Sequence, residues 1–180
     1  MTKRFDPFTD RLSRDIRNDL SESLTDVLSS RSLEPALMVA ERYRRHHPAP
    51  LYHDYINNRL NAYRRTLDRL AEKNVSALLP TAAVLWDLGL FFEVHEILEP
   101  AWMSATGDQK LLLQALIRAA GVYVYLEAGY PQRAAKIAGK AVPVLQCLQA
   151  AAADSLDMGA LINALRELRT EPPRIARDNP

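Results

Sequence analysis

The segment FFEVHEILEPAW, residues 91–102, contains the residue types in this chain that are best suited to chemistry. It places one histidine and three glutamates among phenylalanines, aliphatic residues and a tryptophan. Imidazole and carboxylate groups bind divalent metal ions and also serve as general acids or bases. His95 and Glu99 are four residues apart, which puts both side chains on one face of a helix.

A helical wheel of residues 90–103 shows that the four charged positions are not equivalent. The apolar residues form a broad arc, and His95 and Glu99 lie at the edge of that arc. Glu96 is displaced outward, and Glu93 is predicted to point towards solvent. We therefore expect His95 and Glu99 to be substantially buried. A carboxylate buried without a partner is strongly destabilising, so Glu99 should be paired, protonated or coordinating an ion.

The next predicted helix offers partners for this pair. Gln114 and Arg118 are again four residues apart, on the helix that follows the Gly107 turn. If the two helices form an antiparallel hairpin, these four polar side chains can meet in one buried network. The predicted ligand-binding or polar-network residues are His95, Glu96, Glu99, Trp102, Gln114 and Arg118.

Three interpretations of this cluster remain open at the level of sequence. The first is a satisfied polar network that fixes the register of two core helices. The second is a ligand-binding or catalytic pocket, with His95 or Glu99 as the general base. The third is a divalent metal site that uses His95 and Glu99, with Glu96 at its edge.

The metal interpretation departs from two known helical motifs. Carboxylate-bridged di-metal bundles use Glu-x-x-His, but Phe92 stands three residues before His95. The His-Glu-x-x-His motif needs a second histidine where this chain has Glu99. One helix can still supply two ligands, but the remaining ligands are not visible in the sequence.

The elements that must position these residues are predicted to be helices throughout. Apolar residues recur at three- and four-residue steps over nearly the whole chain, as in Leu12, Ile16 and Leu20. The alternation typical of strands and the turn signals typical of hairpins do not occur. We predict an all-α protein, a bundle of about eight helices arranged as antiparallel hairpins.

Composition changes along the chain and predicts its domain organisation. Residues 1–74 read as three amphipathic helices that form an N-terminal extension. Residues 75–170 are richer in apolar side chains and are predicted to form the core domain. The run 109–128 is apolar nearly all round and should be its central buried helix. Residues 171–180 are predicted to be a loose tail.

The bulk composition limits the classes of function. The chain is 48% hydrophobic and 25% charged with a net charge of +1, which gives no global attraction to nucleic acid or membranes. The single cysteine, Cys147, excludes an intramolecular disulfide and a cysteine-based zinc cage. The start of the sequence lacks the apolar region of a secretory signal, and no apolar run is long enough to span a bilayer. We predict a cytoplasmic protein without a membrane association.

A second charged feature is RYRRHH, residues 42–47. Arginines interleaved with tyrosine can bind phosphates and stack on bases, so Arg42–Arg45 is a candidate nucleic-acid contact. Cations are also favoured at a helix C-terminus, which explains the same residues without a ligand. The near-zero net charge favours this second interpretation.

The run GLFFEVHEILEPAW, followed by QALIRAAGVYVYLEAG, resembles the Domain of Unknown Function 309 family over roughly residues 78–148. That family has a Phe-Glu-x-His-Glu-x-Leu-Glu helix, a tryptophan shortly after it, and then a Gln-x-Leu-Ile helix. The matching positions are Phe92, Glu93, His95, Glu96, Leu98, Glu99, Trp102, Gln114, Leu116 and Ile117. The chain departs from the pattern at Ala115, where the family usually has glycine, and at Tyr123 and Tyr125, where a second histidine is frequent. The resemblance implies a small all-helical domain and no established activity.

The sequence thus favours a non-catalytic helical module that binds a partner protein or a small ligand, with dimerisation possible. The alternative is a metal-dependent or acid/base enzyme, hydrolase-like, centred on His95 and Glu99. The only cofactor indicated is a divalent metal, and nucleic-acid binding through Arg42–Arg45 is a second alternative. Phosphate-binding glycine loops and nucleophile elbows, which would indicate a standard enzyme class, do not occur in the sequence.

Overall fold

The computed structural model describes residues 4–46 and 49–177, and the described residues form eight α-helices and one short 3-10 helix. No strand is formed within these ranges, so the all-α prediction is confirmed. The helices are α1 (Arg11–Ser30), α2 (Glu34–Arg44), α3 (Pro50–Glu72), α4 (Leu78–Asp87), α5 (Phe91–Ser104), α6 (Gly107–Glu127), α7 (Pro131–Leu148) and α8 (Met158–Arg166), with the 3-10 helix at Gln149–Ala152. Among the described residues, none of these helices combines the length and apolar character needed to cross a bilayer.

The chain divides into two compact units, Met1–Glu72 and Lys73–Pro180. In the first unit, α1 packs against α2 and α3. The contact stripe of α1 is set by residues at four-residue steps, and Ile16, Leu20 and Leu24 are fully buried. Asp10 caps the helix, because its carboxylate accepts a hydrogen bond from the Ser13 backbone N–H at 2.9 Å.

In the second unit, α6 is the central helix and packs against both α5 and α7. Its alanines Ala115, Ala119 and Ala120 are fully buried, which lets the neighbouring helices approach closely. Gly89 (φ 72°) and Gly129 (φ 75°) reverse the chain after α4 and α6 in the left-handed conformation. This arrangement gives the 109–128 run the central position that the sequence predicted for it.

Three aromatic side chains join α4, α5 and α6 beside the central helix. The ring of Trp86 meets those of Phe91 and Tyr123 edge-on, with both centroid distances at 5.1 Å. Phe91 and Tyr123 stack at 5.0 Å. All three are buried, so this cluster fixes the start of α5 against α6. The position of α5 in turn decides which of its side chains reach the surface.

The prediction of a loose C-terminal tail is wrong for residues 171–177. Ile175 is only 3% exposed, and its backbone N–H donates to Asp87 Oδ1 at 2.8 Å. The indole N–H of Trp86 donates to the Pro173 carbonyl at 2.9 Å. The proline- and arginine-rich composition suggested a solvated end, but a buried aliphatic side chain and two long-range hydrogen bonds hold this segment in place. Residues 178–180 lie outside the described residues.

Candidate metal site

Helix α5 positions the candidate ligands through its start and its buried side. The helix follows Gly89, and the backbone N–H of Val94 donates to the Leu90 carbonyl at 2.9 Å in its first turn. Phe91, Val94 and Leu98 are buried on one side of the helix. The opposite side therefore faces outward, and it carries an imidazole and two carboxylates within a little more than one turn.

His95, Glu96 and Glu99 form the candidate metal site. Each offers one ligand atom, and the three ligand atoms all lie within 4.8 Å of one another. His95 Nδ1 lies 3.1 Å from Glu96 Oε1, within hydrogen-bond distance. The ring of Phe92 lies nearly parallel to the His95 imidazole, with centroids 6.0 Å apart and an interplanar angle of 10°. The three side chains are half-buried, so an ion bound among them keeps a side open to solvent.

The spacing of the ligand atoms is close to what a divalent transition-metal ion requires. Metal–nitrogen and metal–oxygen bonds of about 2.0–2.2 Å place two ligand atoms on one ion at most about 4.4 Å apart. Separations of up to 4.8 Å therefore need a contraction of a few tenths of an ångström. Half-exposed glutamate side chains can make this adjustment by small torsional changes at the surface.

His95 and Glu99 were predicted to be substantially buried, and the structure leaves both of them half-buried. The His95 side chain is 34% exposed, that of Glu96 is 30% exposed, and Glu99 is also half-buried. The two charged residues lie at the edge of the apolar arc, as the helical wheel places them. The neighbouring helices, however, cover the middle of that arc and leave its edge accessible to solvent.

Glu93 was predicted to point towards solvent, and this prediction is wrong. The residue is completely buried (0% exposed), although the wheel placed it on the solvent side. It lies one turn before Ile97, on the flank of α5 opposite to His95. Because α4 and α6 both pack against α5, elements outside the helix decide which flank is covered. A wheel of one isolated helix contains no information about those neighbours.

The predicted polar network is not formed as a set of hydrogen bonds. Among the described residues, no side-chain hydrogen bond or ion pair engages Glu99, Gln114 or Arg118. The bond that His95 makes goes to Glu96 on its own helix. All of these side chains are half-buried, so water can serve the polar groups that the network was expected to satisfy.

The hairpin that was expected to bring Gln114 and Arg118 beside α5 is nevertheless present. Helices α5 and α6 pack antiparallel, with Lys110 Nζ 5.4 Å from the centre of the Trp102 ring at one end. Phe91 stacks on Tyr123 towards the other end of the hairpin. Gln114 and Arg118 lie between these two contacts on α6, on its half-exposed side. They therefore lie at the same level of the hairpin as the candidate ligands, and no hydrogen bond within the described part of the chain joins them to these ligands.

The arginine region of the first unit is engaged in local contacts. The guanidinium of Arg42 and the hydroxyl of Tyr43 both donate to Asp19 Oδ2. Burial, followed by this hydrogen bond to Asp19, raises the pKa of Tyr43 well above its usual value. Arg44 donates to Asn57 Oδ1 at 2.6 Å, and Arg45 lies 3.2 Å from a Glu41 carboxylate oxygen. These contacts match the interpretation of a solvated helix end. His47 lies outside the described residues.

Tyr123 is a polar residue whose environment the sequence analysis missed. It is 1% exposed, and its hydroxyl has no hydrogen-bond partner among the described residues. Burial raises the pKa of Tyr123 to about 12, against an opposing effect of the Arg169 charge. Within the described ranges, the indole N–H of Trp102 on α5 is likewise buried without a hydrogen-bond partner. The available signal was a tyrosine within an apolar helix. A sequence does not show, however, whether the hydroxyl of such a buried tyrosine finds a hydrogen-bond partner.

The comparison with known families agrees with the resemblance seen in the sequence. The family model described as "Domain of unknown function (DUF309)" matches residues 79–137, which confirms that resemblance. The matched segment spans α4, α5, α6 and the beginning of α7, so it contains all three candidate ligands and the helices that position them. No curated protein and no solved structure matches the chain. The match to this family therefore lies within the second unit of the chain.

Proposed function

We propose that the second unit is a non-catalytic binding module whose ligand is a divalent transition-metal ion held by His95, Glu96 and Glu99. The observation that carries this proposal is the convergence of the three ligand atoms to within 4.8 Å of one another. One imidazole and two carboxylates suit zinc, manganese or iron(II), whereas calcium and magnesium prefer sites built from oxygen alone. The proposed ligand class is therefore a transition metal.

The charges of the site support a bound cation. Glu96 and Glu99 are three residues apart on one helix, where two like charges destabilise each other. A divalent ion between them would remove this repulsion. Metal binding at such a site competes with protons, so affinity should fall as the pH is lowered, because ligands must be deprotonated to bind the ion.

The open side of the site bears on the alternative of a metal-dependent enzyme. Structural zinc sites are closed by four protein ligands, while catalytic sites keep a position for water or substrate. Three half-buried ligands from one turn of one helix leave such positions free. A hydrolase-like activity would use the same three side chains, with the bound metal lowering the pKa of a coordinated water. Loss of the metal site therefore removes both functions.

The metal proposal predicts a calorimetric result. Titration of tag-free protein with Zn²⁺ or Mn²⁺ should show one binding site per chain, and His95→Ala and Glu99→Gln should each weaken binding by ten-fold or more. His53→Ala is the matched control, because His53 is a half-buried histidine on α3, in the other unit. Equal affinity in wild type and His95→Ala, or loss of binding in His53→Ala alone, would contradict the proposal.

A further inference from the structure

Residues 172–177, here called the C-terminal strap, bind in a groove of the second unit through their backbone. The indole N–H of Trp86 donates to the Pro173 carbonyl, and the Ile175 N–H donates to Asp87 Oδ1. The Asp157 backbone N–H also donates to the Ile175 carbonyl at 2.8 Å. The groove therefore binds the strap through hydrogen bonds to its backbone polar groups, as peptide-binding surfaces do.

The same groove accepts one aliphatic side chain of the strap. Ile175 is 3% exposed and lines an apolar cavity. The other walls of this cavity include Leu79, Ala82, Trp86, Leu98, Leu116 and Leu156. One anchored side chain with flanking backbone hydrogen bonds is the usual composition of an extended-peptide site. The structure thus contains a peptide and its binding groove within one chain.

The link between α8 and the strap is strained and exposed. Leu168 adopts a left-handed conformation (φ 49°), which is unfavourable for a residue with a side chain. Arg169, Thr170 and Glu171 are exposed. Pro172 and Pro173 follow and favour an extended backbone. The turn at Leu168 therefore makes the chain reversal that docks the strap. Opening this turn releases strain and exposes the groove.

We propose that the strap is exchangeable, so that the groove of one chain binds the C-terminal strap of a second copy. The complementarity of groove and strap is already present in the structure, and an exchanged pair keeps every contact described above. Such segment exchange is a low-cost route to a dimer, because both copies recover the interactions that they release. The occupant of the groove is then the strap of a second copy of this chain.

The length of the link permits the exchange. Pro173 lies five residues after Leu168, and a fully extended chain of that length spans roughly 17 Å at about 3.3–3.6 Å per residue. This reach is sufficient when the α8 ends of two copies face each other. The proposal is independent of the metal site, since the groove uses α4, the segment before α8 and the buried sides of α5 and α6, not the outer face of α5 that carries the candidate ligands.

A pair of cysteines across the groove tests the exchange. Leu156 and Ala176 form an isolated antiparallel bridge, which places their Cβ atoms within reach of a disulfide. In a Cys147→Ser background, one full-length chain carries Leu156→Cys and a second, distinguishable by mass, carries Ala176→Cys. After mixing and oxidation, the proposal predicts a disulfide-linked heterodimer on a non-reducing gel. A chain with both cysteines is the positive control, and Leu156→Cys mixed with exposed Arg174→Cys measures random collision.

Light scattering on the full-length protein under reducing conditions provides a second measurement. The proposal predicts a concentration-dependent dimer that Ile175→Asp abolishes, because the anchor is lost. Leu168→Gly should also lower the dimer fraction, because glycine removes the strain of the closed turn. A protein that stays monomeric at all accessible concentrations, or a cysteine mixture that cross-links no more than the Arg174→Cys control, would overturn the exchange.

Discussion

At the scale of single residues, the chemical type of a side chain was easier to predict than its environment. The i, i+4 relation between His95 and Glu99 follows from helix geometry, and both residues belong to the candidate site. The burial of Glu93 and the exposure of His95 did not follow, because each depends on which neighbouring helix covers which flank of α5. Packing against neighbouring helices therefore decides the burial of these side chains, and a helical wheel does not contain that information.

Tyr123 offers a test of an unsatisfied polar group in the core. Its hydroxyl is buried without a partner among the described residues, which costs about 1–3 kcal/mol. Tyr123→Phe should therefore raise the free energy of unfolding by about 1 kcal/mol near neutral pH, measured by urea denaturation. Tyr52→Phe is the matched control and should lower it, because the Tyr52 hydroxyl bonds to Asp10 Oδ2 at 3.1 Å. A loss of stability in Tyr123→Phe would show that the hydroxyl has a partner.

The raised pKa of Tyr123 also gives this residue a signature at high pH. The folded protein holds the phenolic proton up to about 12, whereas the unfolded chain releases it near the usual value of 10.0. The unfolded state therefore binds fewer protons in this window, and the free energy of unfolding falls as the pH rises through it. Wild type should lose more stability than Tyr123→Phe between these two pH values.

At the scale of elements, local signals placed the helices well. The run 109–128, predicted to be the central helix, corresponds to Gly107–Glu127, because its apolar character and the glycines near both ends are visible in the sequence. The C-terminal strap was missed, since its partners Trp86 and Asp87 are far away in sequence. Segments without periodicity owe their structure to such distant contacts, which a local pattern does not contain.

Substitutions of the N-cap residue Asp10 test how much capping of α1 contributes to the stability of the protein. The carboxylate accepts from the Ser13 N–H at 2.9 Å and from the Ser13 hydroxyl at 2.6 Å, and Tyr52 also donates to it. Asp10→Ala should lower the free energy of unfolding by about 1–2 kcal/mol, measured by chemical denaturation. Asp10→Asn keeps a capping oxygen and should lose less. Equal losses in both variants would show that charge, not capping, is the main contribution.

At the scale of the whole molecule, the chain consists of two compact units, Met1–Glu72 and Lys73–Pro180, each with buried side chains of its own. The first unit has a core of leucine, isoleucine and tyrosine between amphipathic helices. The second contains the family match, the candidate metal site and the strap groove. The proposed activities therefore all belong to the second unit.

This division predicts that the second unit folds without the first. Residues 73–180 produced alone should give a dispersed amide NMR spectrum and a cooperative thermal transition, because their central helix α6 is enclosed by α5 and α7 of the same unit. The isolated unit should also bind Zn²⁺ with the affinity of the full chain. A molten spectrum with no cooperative transition would show that the first unit completes the fold.

The metal proposal is tested most directly by locating the ion. Crystals of tag-free protein soaked in zinc and measured at the zinc absorption edge should show an anomalous difference peak bonded to His95, Glu96 and Glu99. Crystals of His95→Ala should lack that peak. Zinc density absent from these three side chains, in crystals whose other surface histidines bind the ion, would contradict the account.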